Sequence, residues 1–413
     1  MQNQLRFDRI YSVSLSLTIV AMLLLPKLIS VAMVLLFLTV IMGIFSKRLT
    51  FKGDPVSFMF IGLYLLYVLG MLYSEDTAQG GKYLEYKLSF LIFPFLLMWR
   101  TEGTVYYDWL AKSFIGSLIA LFVLGLFNGL ENMGEMSFFN SFTSTRFSYV
   151  HHPTYLSVFA LFGIELIRTG FMDLRNKSWL KVLLIFFLVV VQLLCMSLAG
   201  LLFLFGYAGI MVLIAVKKRF GTKWVVGISG LSLALLVGLS AAVPQVKLQF
   251  KSAYDSVLLF AEDPKQFVRT RQTYVTGNET RLIMWTATFY EIKDHPFGVG
   301  TGSVDIHLEE RLRKLKQPQV FIDHHYNPHN QFLQTWLEIG LVGFLTLLMI
   351  IATAIYVGFR TKNSLLVLLG FSLLFQNLFE SMFQRQSGIV FYTFWLCFLA
   401  VYGTLYRRLK PND

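Results

Sequence analysis

An imidazole and a guanidinium carry the chemistry that can be read from this chain of 413 residues. His329 stands in NPHNQFLQTWLEIGLVG (327–343), where a long polar stretch runs into a very apolar one. Histidine titrates near neutrality, so at a membrane surface it can take a proton from a hydroxyl. Arg281 stands in TRLIMWTATFYEIKD (280–294). A guanidinium presents several fixed donors, which suits a phosphate or diphosphate. If Thr280 caps a helix there, its start adds amide donors and a favourable dipole for the same anion. A base beside an anion clamp implies chemistry on a lipid-linked phosphate compound.

Other residues compete for lesser roles. Asn330 or Pro328 is expected to start the next helix, which leaves His329 at the membrane face. Arg146, in STRFSYVHHPTYLS (144–157), is a second candidate anion contact, with His152 in the same segment. Lys87 lies inside an apolar run and Arg385 in a turn between the last two. Charges at membrane depth are costly and usually face a cavity or a partner. Each has a bland alternative. Arg281 can form a surface pair with Glu279 or Glu291, and His329 can be satisfied by a loop carbonyl. Lys87 can pair with Glu85 or snorkel. Arg146 can be a solvated loop cation, and Arg385 can cap its turn. His324, His325 and His329, with Asp323, invite a metal reading. However, Pro328 disfavours a regular helix across them, so no metal is expected. HPFGVGTG (295–302) can offer amides to a phosphate, but a turn that redirects the chain is preferred.

These residues need a membrane scaffold. The chain is 55% hydrophobic and only 15% charged, with 40 Phe, whereas soluble domains have roughly 25% charged residues. Its apolar runs are too long for alternating barrel strands. The fold class is therefore all-α and polytopic, with about twelve transmembrane helices and one large periplasmic helical loop. The expected runs are 10–25, 28–45, 56–73, 83–99, 109–130, 153–169, 180–196, 198–216, 224–243, 332–357, 364–382 and 388–406. This divides the chain into an N-terminal bundle (1–243), a large loop with short helices (244–331) and C-terminal spans (332–413).

The net charge of +12 belongs to topology rather than to nucleic acid. Lys47, Arg48, Lys52, Arg100, Lys217, Lys218, Arg360 and Arg407 fall on one side, which is then cytoplasmic with both termini. The opposite short loops hold little beyond Lys27, Lys82, Arg146 and Arg385. Cys195 and Cys397 sit in apolar runs and imply no disulfide framework. Within the outer loop, Thr280 to Asp294 is expected to be helical, with Leu282, Trp285, Thr286 and Phe289 on one face. Glu309 to Lys316 is a second helical candidate.

The stretch RLIMWTATFYEIKDHPFGVGTG (281–302), with HNQFLQTWLEIGLVGFL (329–345), resembles the C-terminal signature of the O-antigen ligase and O-antigen polymerase superfamily. The resemblance implies a metal-independent, cofactor-free inverting glycosyltransferase in the bacterial inner membrane, with its site open to the periplasm. The implied donor is a glycan on undecaprenyl diphosphate, and the implied acceptor is a lipid A-core sugar or another glycan. Arg281 matches the diphosphate-binding arginine, His329 the essential histidine, and Arg146 the upstream arginine. Many relatives carry a Ser-Arg pair after the middle loop; here Met196-Ser197-Leu198-Ala199-Gly200 holds no arginine. That anion contact is missing or comes from Arg146, Lys87 or Arg385. A lipid-linked sugar transporter is the rival reading from another class, although the chain shows no related halves. A non-enzymatic scaffold is the third.

Overall fold

A computed structural model describes residues 2–134, 137–221, 254–255, 257–270 and 277–408. The expected run 224–243 lies outside them, as do 244–253 and 271–276 of the large loop. Among the described residues the fold is helical, apart from one antiparallel ladder of Leu49–Phe51 with Trp99–Thr101.

Among the described residues, seven helices are long and apolar enough to cross a membrane: Gln2–Leu24, Pro26–Phe45, Pro55–Tyr73, Tyr107–Asn132, Leu198–Phe220, Gln331–Arg360 and Gln386–Gly403. Pro153–Arg168, Ser178–Leu194 and Ser364–Gln376 coincide with further expected runs but are shorter. The run 83–99 is not one helix. It breaks at Leu88 into Thr77–Lys87 and Ser89–Leu97. The breaks between neighbouring runs have local causes. Pro26 opens the second helix without a missing hydrogen bond. Ser197 caps the helix Leu198–Phe220 by accepting from Gly200 N, directly after Met196 turns through a left-handed conformation.

Packing is as expected for a bundle with an apolar surround. Val31, Val34, Leu38, Val182, Phe186 and Phe205 are each more than half exposed, which would be unstable in water and suits lipid. Inside, Trp395 meets Phe114 and Phe162 at 5.7 and 4.8 Å between ring centroids, part of one large apolar core. At one end of the bundle the ladder joins Asp8, which accepts from Thr101 Oγ1 and Thr104 N, and Arg48, which donates to Gln4. These segments carry the clustered Lys and Arg of the chain.

At the other end sits a smaller core. Ile283, Met284 and Ala287 of the helix Gly277–Asp294 pack with Leu308 and Leu312 of the helix Val304–Lys314, and with Leu337. The expected face of the first helix is corrected here. Phe289 is 60% exposed, and the buried stripe runs through Thr280, Met284, Ala287 and Glu291. Both stripes have helical spacing. The one with the smaller side chains was chosen because it lets this helix approach the helix Gln331–Arg360.

The junction between the two cores explains the paired signature. The helix Gln331–Arg360 kinks at Ile339 and Gly340, whose backbones are not helical. The kink frees the carbonyls of Leu337 and Glu338, which accept from Val299 N and Gly300 N at 2.8 and 3.0 Å. Thr301 N reaches Gly70 O, and Gly302 N reaches Ser74 Oγ. The glycine-rich stretch is therefore a turn that ties outer helices to bundle. Its amides are committed to protein oxygens rather than to a phosphate.

Candidate active site

His329 is held from both sides in the chain. Asn327 Oδ1 accepts from His329 N at 2.8 Å, an Asx turn across Pro328. Asn330 is the cap of the next helix: its Oδ1 accepts from Phe332 N and Leu333 N at 3.0 and 3.1 Å. Squeezed between these, His329 adopts a left-handed backbone with φ +47. This costs an L-residue about 1–2 kcal/mol, and such strain clusters where a side chain must be aimed. Its Nδ1 lies 3.4 Å from Glu380 Oε1.

Glu380 belongs to the turn 377–385 between the last two helices. The turn is fastened to the start of the kinked helix. Asn330 Nδ2 donates to Leu378 O, Gln331 N to Asn377 O, and Phe383 N to the buried Gln331 Oε1. Arg281 reaches the same turn from the outer helix. Its Nε donates to Phe379 O at 3.1 Å and its Nη1 to Gly277 O at 3.2 Å. The guanidinium is thus positioned by carbonyls, with its remaining N–H groups left for an anion. The expected helix start is corrected: the helix begins at Gly277, so Arg281 sits one turn in.

The electrostatics bind these groups into one site. Burial pushes the Glu380 carboxyl up, but contact with His329 and the charges of His152 and Arg281 together hold it below its ordinary value. His152, at the start of the helix Pro153–Arg168, is shifted the other way. Burial lowers it, against the pull of Glu380, with Arg385, His329 and Arg281 adding to the lowering. Its Nδ1 is buried without a hydrogen-bond partner among the described residues. Gln376, Asn377 and Ser381 also carry buried side-chain atoms with no partner among the described residues. Buried polar atoms are normally satisfied; His329 Nδ1, close to Glu380 but short of a hydrogen bond, is also without a hydrogen-bond partner among the described residues. His151, by contrast, is fully used, by Ser387 Oγ and Leu23 O.

The structure therefore brings together Arg281, His329, Asn330, His152 and Arg385. Two sequence candidates stand apart. Arg146 is exposed on the short helix Ser144–Phe147 and is not among the charges bearing most on His152 or Glu380. Lys87 neither snorkels nor pairs with Glu85. It is buried, 3.3 Å from Glu338 Oε1 and over the ring of Tyr67. It touches the site only indirectly, because Gln384 of the same turn also donates to Glu338. The three histidines of the rejected metal reading have separate partners: His324 donates to Val320 O, His325 meets Glu309, and His329 meets Glu380. Glu380 was missed by sequence reasoning. The available signal was an acidic residue inside the expected run 364–382.

Residues 182–348 match the model of the family described as O-Antigen ligase. The chain is also 21% identical over 378 residues to an uncharacterized protein of Haemophilus influenzae, covering 86% of this chain and 88% of that one. The matched region contains Arg281, the glycine-rich turn, His329 and the kink at Gly340, while Glu380, His152 and Arg385 lie outside it. Over residues 182–348 the chain is thus similar to the O-antigen ligase family.

Proposed function

We propose that this protein is an inverting glycosyltransferase of the inner membrane that moves a glycan from undecaprenyl diphosphate to an acceptor hydroxyl at the periplasmic face. The observation that carries the reading is the convergence of Arg281 and His329 on the turn that holds Glu380. In this reading the chain has about twelve spans, both termini are cytoplasmic, and the outer helices form a periplasmic cap.

The reaction needs little from the protein beyond placement and charge. Arg281, with Arg385 nearby, neutralises the diphosphate as the anomeric carbon–oxygen bond breaks. Diphosphate leaves readily, so no general acid is required. The acceptor oxygen bonds the same carbon from the opposite face and inverts it. Its proton passes to Nε2 of His329. Glu380, at Nδ1, fixes the ring and stabilises the imidazolium that results. His152 and Asn330 border the acceptor. Arg146, exposed beyond the cluster, is left a role only with the longer glycan. No metal enters this step.

A lipid A-core sugar is the favoured acceptor, making the protein a ligase. A polymerase that adds to a second lipid-linked repeat is the alternative in the same superfamily. A flippase is disfavoured because the polar groups gather at one end of the bundle instead of at its midplane. Deletion followed by electrophoresis of surface glycans separates these. A lost ladder with accumulated lipid-linked polymer indicates a ligase, and a single-repeat product a polymerase. In the same strain, His329→Ala must reach the membrane at normal levels yet transfer no glycan. Normal surface polysaccharide from that variant removes the base from the mechanism.

A further inference from the structure

We propose that Glu291, His295 and His307 form a site for one divalent transition-metal ion of the zinc class, which pins the outer helices to the membrane bundle. This goes beyond the transfer reaction and is separate from it. His295 is fourteen positions after Arg281, about 21 Å along a helix rising about 1.5 Å per residue.

Local structure brings the three ligands together. Glu291 lies in the last turn of the helix Gly277–Asp294, with His295 just past its end, so the two share a face. The glycine-rich turn then reverses the chain, and His307 arrives in the first turn of the helix Val304–Lys314. The result is a carboxylate with two imidazoles over it. Glu291 Oε2 is 3.3 Å from His307 Nδ1 and 3.8 Å from His295 Nε2. All three ligand atoms lie within 4.8 Å of one another. Zinc bonds of about 2.0–2.2 Å in a tetrahedron place ligand atoms roughly 3.3–3.6 Å apart. One distance fits, the second nearly does, and rotation of the half-exposed His295 closes the third.

The surroundings favour a cation. The buried Glu291 carboxylate is divided: Oε1 accepts from Arg311 Nε, and Oε2 is turned to the imidazoles. Asp294 takes the other side of Arg311. Glu75 Oε1 lies 3.1 Å from His307 Nε2. Two carboxylates thus share the Arg311 guanidinium and a third meets His307, so the carboxylates outnumber the one arginine before any ion enters. Glu75 also settles the ring. A carboxylate that accepts from the far nitrogen of a histidine holds the proton there and turns the other lone pair toward a metal. In the tautomer with the proton on Nε2, the Nδ1 lone pair faces Glu291 Oε2, 3.3 Å away, and one cation satisfies both together with His295. The backbone of Glu75 is tied to the turn, since its N donates to Ser303 Oγ at 2.7 Å. It comes from the loop after the membrane helix Pro55–Gly70, so an ion here joins cap to bundle.

The test is metal binding by the full-length protein in detergent, stripped with a chelator and titrated with Co2+. Wild type is expected to take up one equivalent, to show visible bands of four-coordinate intensity, and to melt at higher temperature when Zn2+ is added. His295→Ala, at a half-exposed position where packing is spared, must lose that equivalent. Glu75→Gln must keep the stoichiometry but bind about 10- to 100-fold more weakly. A double His324→Ala, His325→Ala variant must bind like wild type. The proposal falls if wild type takes up no stoichiometric Co2+, or if His295→Ala takes up as much as wild type. Uptake that follows His324 and His325 instead also overturns it.

Discussion

Gly298 and Gly340 meet face to face where the outer helices join the bundle, both in left-handed backbone conformations with φ of +89 and +73. A Cβ on Gly298 would come within 2.6 Å of Gly340 N, and one on Gly340 within 2.5 Å of Phe297 O. No side chain fits between backbones this close. Gly340→Ala is therefore expected to lose about 1–2 kcal/mol from backbone conformation alone, with the clash added. The check is the melting temperature of the protein in detergent. An unchanged value means that the kink does not hold the junction.

Arg281→Lys keeps the positive charge but not the fork. The carbonyl of Phe379 loses its Nε donor, and an ammonium cannot hold two phosphate oxygens in the same plane. Turnover is expected to fall about 100-fold or more, the cost of losing an oriented donor to developing charge. The assay is transfer from a purified lipid-linked donor. Wild-type turnover in this variant would remove the anion clamp.

Glu380→Gln keeps size and shape while removing the charge behind His329. Transfer should fall with the acceptor's KM little changed, because the imidazolium loses its counter-charge. The pH dependence of stability gives an independent reading. Glu380 is held below the ordinary glutamate value of 4.5 in the fold. Its contribution is present in full above that value and lost as the pH falls through the depressed one. Wild type should lose stability in that acid window, and the Gln variant should lose less. Superimposable acid profiles count against the pair.

Lys87 and Glu338 are joined at 251 positions' separation, with side chains 1% and 0% exposed. Lys87→Met strands a buried carboxylate and should cost about 3–5 kcal/mol. Adding Glu338→Gln should recover most of it. Recovery is measured by folded protein in membranes and by melting. Failure of the double variant to recover would return Lys87 to the list of groups acting on substrate.

What could be read beforehand follows from how local each signal is. Most of the apolar helices among the described residues, Cys195 and Cys397 in apolar surroundings, the end of the outer helix at Asp294 and the cap at Asn330 depend on near neighbours, and they are where the residue pattern puts them, whereas the run 83–99 splits at Leu88. His329 and Arg281 stood out by type and setting. Their common partner did not, because Glu380 hides in an apolar run and matters only once three distant segments fold onto its turn. The face of the outer helix was misjudged because two stripes have helical spacing, and only tertiary packing chooses. For Lys87, residue type offers a substrate, Glu85 or the interface as company, and none of these names Glu338, because that partner is 251 positions away.

Leu333, Trp336 and Leu337 complete the apolar interior of the outer helices, yet they stand on the same rod as Leu347 and Ile350 deep in the bundle. The segment that precedes the kinked helix is thus no detachable cassette. Expressed by itself from 254 to 328 it would lack a wall and should not fold. Grafting it onto a relative will succeed only if the first ten residues of the kinked helix travel with it.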